Sequence, residues 1–288
     1  MSNTRLLTSV VLATYNGEKY IEEQLLSIYQ QTQKVDEVLI FDDRSTDHTI
    51  KICKRFINDN QLENWIIKVN QKKLGVFYNF INGAYSSNGD IIFFADQDDI
   101  WLEHKVATMT NLFSSNQKVL SLTTTFSRFR DDVVLSNHVK HPNRKNNGLK
   151  KIHLNEFCKF PNYLGMSMAI SKNLLKIINF KKQMEIVVTH DIYLNFFSAQ
   201  NQSLYHLDKV LTKRRSYSNS VSNKKVKTDL VYFNNNIKLY TISDKLMMLK
   251  FFKKEIKNNI DNKKTSTKIV KRHIRFNNIR FDYFKNES

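Results

Sequence analysis

The stretch Ile91-Ile92-Phe93-Phe94-Ala95-Asp96-Gln97-Asp98-Asp99-Ile100-Trp101 runs five apolar residues straight into a cluster of three carboxylates. So short an unbroken run, rich in β-branched and aromatic side chains, reads as a strand buried on both faces. The acids then stand where that strand meets solvent. Working outward, Ser9 to Thr14, Val38 to Phe41 and Trp65 to Val69 are three more strand-like runs. Apolar residues at helical spacing predict helices over Glu18 to Gln31, Thr46 to Ile57, Val76 to Tyr85 and Trp101 to Phe113. In the last of these Leu102, Val106, Met109 and Leu112 lie along one side. Four β-α units predict an α/β fold, a mostly parallel sheet with helices on both faces. In such sheets ligands bind outside the carboxyl ends of the strands, so the loops there are where chemistry is expected.

Those loops read Thr14-Tyr15-Asn16-Gly17, Asp42-Asp43-Arg44-Ser45-Thr46-Asp47 and Asp96-Gln97-Asp98-Asp99. Neither a Gly-x-Gly-x-x-Gly turn nor a Gly-Lys-Ser/Thr phosphate loop is present. An acidic cluster repels a bare diphosphate unless a divalent cation lies between them. Asp96 and Asp98 supply hard oxygen ligands suited to Mg²⁺ or Mn²⁺. Two readings of the acids stand side by side. Asp42, Asp43, Ser45 and Asp47, and likewise Asp99, could cap the helices that follow. A doubled acidic pair at the end of an apolar strand costs desolvation and self-repulsion, which a bound cation relieves, and this favours a site at Asp96 and Asp98.

Composition narrows the class. The chain has 288 residues with 45 Lys+Arg against 27 Asp+Glu, a net charge of +18, and 41% of it is hydrophobic. That supports a sizeable core and excludes global disorder. No run approaches the roughly 18 apolar residues that span a bilayer. Leu6 to Ala13 reads as a first strand rather than a signal peptide. Cys53 and Cys158 form no disulfide framework, so a reducing cytoplasm is expected. The charge is uneven: residues 224–288 hold 17 Lys+Arg and 6 Asp+Glu, whereas residues 1–223 hold 28 and 21. A boundary is expected near Ser222, with a basic, mainly helical region after it. Part of the Lys and Asn excess could equally reflect coding-DNA composition.

Thr14-Tyr15-Asn16, Asp42-Asp43-Arg44-Ser45-Thr46-Asp47, Leu74-Gly75 with Asn79, and Asp96-Gln97-Asp98-Asp99-Ile100-Trp101 stand in an order and spacing that resembles the inverting glycosyltransferases of family 2, over about the first 115 residues. The Asp-Gln-Asp-Asp-Ile-Trp form is similar to a branch with bacterial rhamnosyltransferases and other polysaccharide-assembly enzymes. The resemblance implies a GT-A fold, a Rossmann-like sheet whose nucleotide-sugar half (about 1–115) is followed by an acceptor half (about 116–223). It assigns Thr14, Tyr15 and Asn16 to the nucleotide, and Asp42 or Asp43 to the imide N–H of the base, which a carboxylate accepts well. Gly75, Asn79 and Gln97 fall in the same nucleotide-sugar site. Asp96 would lie at the ribose and the metal, and Asp98 at the metal bridging the diphosphate. Arg44 and Lys73 depart from the family's usual Gly and Asn. Lys73 either contacts donor phosphates or is a solvated loop lysine.

In the acceptor half, Arg128 to Lys151 is basic, includes His138 and His141, and reads as a mobile loop; its histidine spacings, with His153, match no zinc pattern. Tyr163 to Ala169 resembles a Gly-containing segment before the family's acceptor region, and Lys172 to Phe180 is helix-like. Thr189-His190-Asp191 then opens an apolar helix. By position Asp191 matches the family's catalytic base, the alternative being a simple N-cap. His190 either orients the acid or the sugar, or is a partly buried histidine with a backbone partner. Val210 to Val221 resembles the segment that closes over the diphosphate. There Arg215 matches the family arginine, and Tyr217 replaces its histidine. Arg214 and Arg215 read as phosphate ligands or as a solvated charge run.

In the tail, Leu246, Leu249, Phe252, Ile256 and Ile260 form one stripe, with Lys250, Lys253, Lys254 and Lys257 along its flank. Such a helix docks on its own domain, touches anionic lipid or pairs with a partner. Lys271 to Phe284 interleaves arginine with aromatics but belongs to no recognised nucleic-acid module, and no nucleic-acid partner is expected. The expected function is metal-dependent inverting transfer, with Mn²⁺ or Mg²⁺, from dTDP-rhamnose or a UDP-hexose or N-acetylhexosamine to a lipid-linked or growing surface glycan at the inner face of the cytoplasmic membrane. The rival is a non-catalytic basic protein, binding membrane or nucleic acid, on a degenerate form of this fold.

Overall fold

A computed structural model describes residues 5–130, 133–136, 148–178, 180, 188–216, 242–256 and 265–275. Strands β1 (Thr8–Thr14), β2 (Glu37–Asp42), β3 (Trp65–Val69) and β4 (Ile91–Asp96) pair in parallel in the order β3-β2-β1-β4. Helices α1 (Ile21–Tyr29), α2 (Thr49–Asp59) and α3 (Gly75–Ser86) connect them. β1 and β4 are apolar almost throughout because both faces are covered: Val10, Leu12 and Phe93 enter one core, Val11, Ile92 and Phe94 the other. Ala13 pairs with Phe41 on one side and with Asp96 on the other, and Thr14 pairs with Asp42. The acid-bearing ends of three strands therefore finish level.

The sheet continues through β9 (Met168–Ser171), β6 (Ser121–Arg130), β10 (Leu204–Arg215) and β5 (Ile100–Trp101). β9 is antiparallel to β4 and β6, while β10 runs parallel to β6 and antiparallel to β5. β7 (Val133–Ser136) and β8 (Leu149–Lys151) add short antiparallel edges. α4 (Lys105–Ser115), α5 (Leu154–Lys159), α6 (Lys172–Ile177) and α7 (His190–Gln200) complete the layers, with a single 3-10 turn at Gly165–Ser167.

Three expectations change. The helix predicted from Trp101 begins at Lys105, because Ile100 and Trp101 are taken by β10 as a strand. The basic stretch read as a loop from Arg128 to Lys151 is partly sheet, since β6 runs to Arg130 and is followed by β7 and β8; residues 137–147, with His138 and His141, lie outside the described residues. The sheet is mixed beyond β4, where antiparallel β9 inserts.

The tail packs on the sheet layers. In α8 (Ile242–Glu255) the stripe Leu246, Leu249, Phe252 and Ile256 is buried, and the Phe252 ring lies parallel on Phe196 of α7 with centroids 3.6 Å apart. Residues 265–275 form a ninth helix, α9, whose Val270 is buried in the same core. Ile260 and Lys257 lie outside the described residues. No helix among the described residues is long and apolar enough to cross a membrane.

Candidate active site

The loops after β1 and β2 are tied into one wall. Thr14 Oγ1 donates to Asp42 Oδ2 at 2.8 Å, and the Ser45 N–H donates to Asp42 Oδ1 at 2.8 Å. Asp42 and Thr14 are both buried. Asn16, at φ 48°, gives its N–H to Ser45 Oγ at 2.9 Å and accepts from the Thr46 N–H at 2.8 Å. Tyr15 and Asn16 are left exposed on the cleft side, with Lys73 Nζ 4.1 Å from the Tyr15 ring centroid. Asp47 keeps the capping role, accepting from Thr49 N–H at the start of α2 at 3.0 Å.

Asp43 joins this wall to α3. Its carboxylate accepts from Leu74 N–H at 2.7 Å, Gly75 N–H at 2.9 Å and Asn70 Nδ2 at 3.0 Å. An acid is favoured there because it faces the positive end of a helix. Gly75 has φ +81°, a left-handed turn that brings both N–H groups round to the acid. Burial pushes the Asp43 carboxyl up, but these hydrogen bonds and the Lys73 charge outweigh it, so it sits below its ordinary value. Asn79 is buried, donating to Phe41 O at 3.1 Å and accepting from Asn70 at 2.6 Å. It supports Asp43 through Asn70 and does not itself line the cleft.

The acidic loop after β4 forms the floor. Gln97 bridges to β1, its Oε1 accepting from Tyr15 N–H at 2.8 Å and its Nε2 donating to Tyr15 O at 3.1 Å. A Cβ on Gly17 would lie 2.3 Å from Gln97 Oε1, so the bridge requires glycine there. Asp96 and Asp98 are half-buried. Burial and the neighbouring Asp98 charge push the Asp96 carboxyl up to about 7, Asp191 adding to the rise while Arg214 and Lys105 oppose it. Asp99 is fully buried and accepts from Arg215 N–H at 3.0 Å across to β10, so it is no helix cap. Burial, Asp98 and Asp96 drive it well above the ordinary carboxylate range.

Asp191 reaches this floor from about a hundred residues away, near enough for its charge to act on Asp96. It is buried in the first turn of α7, whose N-cap is Thr189 rather than Asp191. Oδ2 accepts from Gly165 N–H at 2.9 Å, and Oδ1 from Ile192 N–H at 2.9 Å and from the Thr189 hydroxyl. His190 turns away into the core, stacked on Phe80 with centroids 3.9 Å apart. Neither ring nitrogen has a hydrogen-bond partner among the described residues, contrary to the backbone partner expected. Burial lowers its pKa to about 4, Asp191 opposing the shift only in part.

Two cations differ from expectation. Arg215 is committed inside the protein: it pairs with Glu23, donates from Nε to Asp98 O at 3.1 Å, and lies 4.5 Å from the centroids of both Tyr20 and Phe129. Arg214, its neighbour on the opposite face of β10, is the one whose charge acts on Asp96 and Asp99. Lys105 was not singled out by its sequence context, yet it is fully buried under the acidic loop. Burial lowers its pKa to about 7 against the pull of Asp99 and Asp96. The available signal was spacing, since Lys105 lies one turn before Met109 on the apolar side of the helix.

The donor set fits a hard divalent ion. Asp96 is held up first by burial and then by the second carboxylate, Asp98, and such an ion would relieve both costs. Among the described residues no three His, Cys, Asp or Glu side chains converge as a complete cage. One or two carboxylates completed by phosphate oxygens and water is the usual setting for Mg²⁺. Tyr217, at the family histidine's position, lies outside the described residues.

Known proteins resemble this chain in sequence and in fold. The family described as "Glycosyl transferase family 2" matches residues 9–177. The dTDP-rhamnosyl transferase RfbG of Shigella flexneri is 40% identical over 118 residues, 36% of this chain and 40% of that protein. The chain thus matches less than half the length of this curated relative. Among solved structures, TarS of S. aureus in complex with UDP-GlcNAc superposes with a TM-score of 0.70 at 18% identity, covering 92% of this chain and 70% of TarS. The mannosyltransferase PcManGT of Pyrobaculum calidifontis, in complex with GDP-Man and Mn²⁺, superposes with a TM-score of 0.59 at 15% identity, covering 94% of this chain and 75% of that one. With a GT-A fold, acids at the strand ends and the family match over most of the sheet, this chain belongs to glycosyltransferase family 2.

Proposed function

We propose that the chain transfers a sugar, with inversion, from a nucleotide diphosphosugar to a hydroxyl of a lipid-linked or growing surface polysaccharide. The observation that carries this is the Gly165–Ser167 turn, which packs on β4, the strand ending at Asp96, and gives its Gly165 N–H to Asp191, so that Asp191 stands at the end of the sheet where Tyr15, Asn16 and Asp43 form a wall. Residues 1–223 serve as the catalytic unit, donor half first, and residues 224–288 as a basic region whose described helices, α8 and α9, pack on it. The identity to a dTDP-rhamnosyl transferase supports dTDP-rhamnose as donor, and the likeness to TarS leaves UDP-N-acetylglucosamine as the second candidate.

In this reading Asp43, with the open side of Tyr15 and Asn16, holds the nucleoside, and Arg214 rather than Arg215 stands by the diphosphate. Asp96 and Asp98 would hold Mn²⁺ or Mg²⁺, whose charge stabilises the departing nucleoside diphosphate. Asp191 Oδ2 keeps a lone pair beside the one given to the Gly165 amide. There it takes the proton of the acceptor hydroxyl as that oxygen bonds to the anomeric carbon and the bond to the diphosphate breaks on the opposite side.

Incubating the protein with Mn²⁺ and a panel of nucleotide sugars, with glycan acceptors present, tests this by release of nucleoside diphosphate. Release from dTDP-rhamnose or a UDP-sugar is expected, and a double Asp96→Ala, Asp98→Ala protein should lose it. Release no greater than in that double variant for every donor would leave a basic binding protein on this fold as the surviving reading.

A further inference from the structure

One buried cation remains once the donor loops and Asp191 have their roles. Lys105, the first residue of α4, donates from Nζ to Met166 O at 2.6 Å and to Thr212 Oγ1 at 3.1 Å, and lies 3.9 Å from the Trp101 ring centroid. Each partner belongs to a different part of the site. Met166 is the middle of the 3-10 turn whose Gly165 N–H donates to Asp191. Thr212 lies on β10, paired with Trp101 and two residues before Arg214. The turn itself packs against β4, whose last residue is Asp96, and the pull of Asp99 and Asp96 on the ammonium works against its burial.

A lysine tolerates full burial only where acceptors and countercharge offset its lost hydration. Replacing a whole buried ion pair, both partners together, by well-packed apolar residues is often neutral or stabilising, so stability alone does not account for an ammonium set beside buried acids at this position. Its placement does. Residues 96–99 come from the donor half and residues 165–167 and 191 from the acceptor half, and a hydrogen bond from Lys105 crosses between the two halves inside the core.

We propose that Lys105 is a positioning residue that locks the Gly165–Ser167 turn to the acidic loop, holding the carboxylate of Asp191 in register with Asp96 and Asp98. Lys105 touches neither donor nor acceptor and moves no proton. It acts through the Met166 carbonyl on the turn, and through the Gly165 N–H on Asp191. This rests on the glycosyl-transfer reading for the role of Asp191.

The chain has six glycines, of which only Gly75 and Gly165 follow a leucine. Protein carrying ¹⁵N-glycine and carbonyl-¹³C leucine therefore isolates those two amides by NMR. In Lys105→Met the Gly165 signal should move and its amide hydrogen exchange about tenfold faster, with Gly75 unchanged. Turnover of the nucleotide sugar that the native protein consumes should fall about tenfold or more in kcat, with donor KM within about threefold. A folded Lys105→Met protein with an unmoved Gly165 signal, with native kcat, or with its loss carried wholly by KM overturns the proposal. Should that variant not fold, Lys105→Arg, which keeps the charge but replaces the single ammonium set between Met166 O and Thr212 Oγ1 by a planar, bulkier guanidinium, is judged by the same signals. No turnover by the native protein would instead strike the glycosyl-transfer reading, and the Gly165 signal alone then decides whether Lys105 holds the turn.

Discussion

At the residue scale, the same side-chain type does opposite work within a few positions. Asp42 is wholly enclosed by Thr14 and Ser45, whereas Asp43, also buried, accepts from the first N–H groups of α3. For the proton-accepting role, Asp191→Asn keeps the shape of the side chain and removes its basicity. We expect kcat to fall at least about a hundredfold, with donor KM and nucleotide affinity unchanged. A kcat within a few-fold of native in steady-state kinetics would remove Asp191 as the base. His190 gives a pH prediction. Its pKa is about 4 in the fold against an ordinary 6.5. The unfolded chain therefore takes up a proton that the folded one refuses. The stability this group contributes is complete above pH 6.5 and is lost as pH falls toward 4, by about 3 kcal/mol in all. Urea unfolding of His190→Phe across that window should show a shallower decline than the native protein; parallel curves would refute the assignment. His273, also lowered to about 4, titrates in both proteins and cancels in the comparison.

At the element scale, loops after different strands are joined by pairs that must fit together. Gly17→Ala drives a methyl into Gln97, so it should weaken binding of dTDP or UDP with Mn²⁺ in calorimetry. Adding Gln97→Ala should then cost less than the sum of the two single changes, because the clash is gone. Strict additivity would mean that the Tyr15–Gln97 bridge does not shape the nucleotide wall. For α8, Phe252→Ala removes a ring stacked on Phe196 in a closed core. A loss of about 3–5 kcal/mol in unfolding free energy is expected. A loss under about 1 kcal/mol would show that α8 is an accessory rather than part of the core.

At the scale of the whole molecule, the net charge of +18 is uneven, with acids at the strand ends of the sheet and a basic excess in residues 224–288. The stripe of α8 is spent on the core, so contact with an anionic bilayer would have to run through exposed lysines such as Lys250 and Lys254 rather than through inserted apolar residues. Changing both to Gln should weaken sedimentation with phosphatidylglycerol-containing vesicles at low salt without lowering the melting temperature; equal sedimentation would reject a membrane role for this helix. The alternation of strands and helices, the two-sided burial of Ile91 to Ala95 and the acids at three strand ends were all legible in the sequence. Local periodicity and strand-end chemistry are short-range properties that survive without the fold. Other features were decided only by tertiary structure. Asp43 is tied to the start of α3 while Asp42 is closed off by Thr14 and Ser45, Arg215 pairs with Glu23, Trp101 becomes a strand, and the Gly165 turn that holds Asp191 is bonded to Lys105. Each depends on the register of chain segments tens to a hundred residues apart, and on which carboxylates and cations burial leaves facing one another.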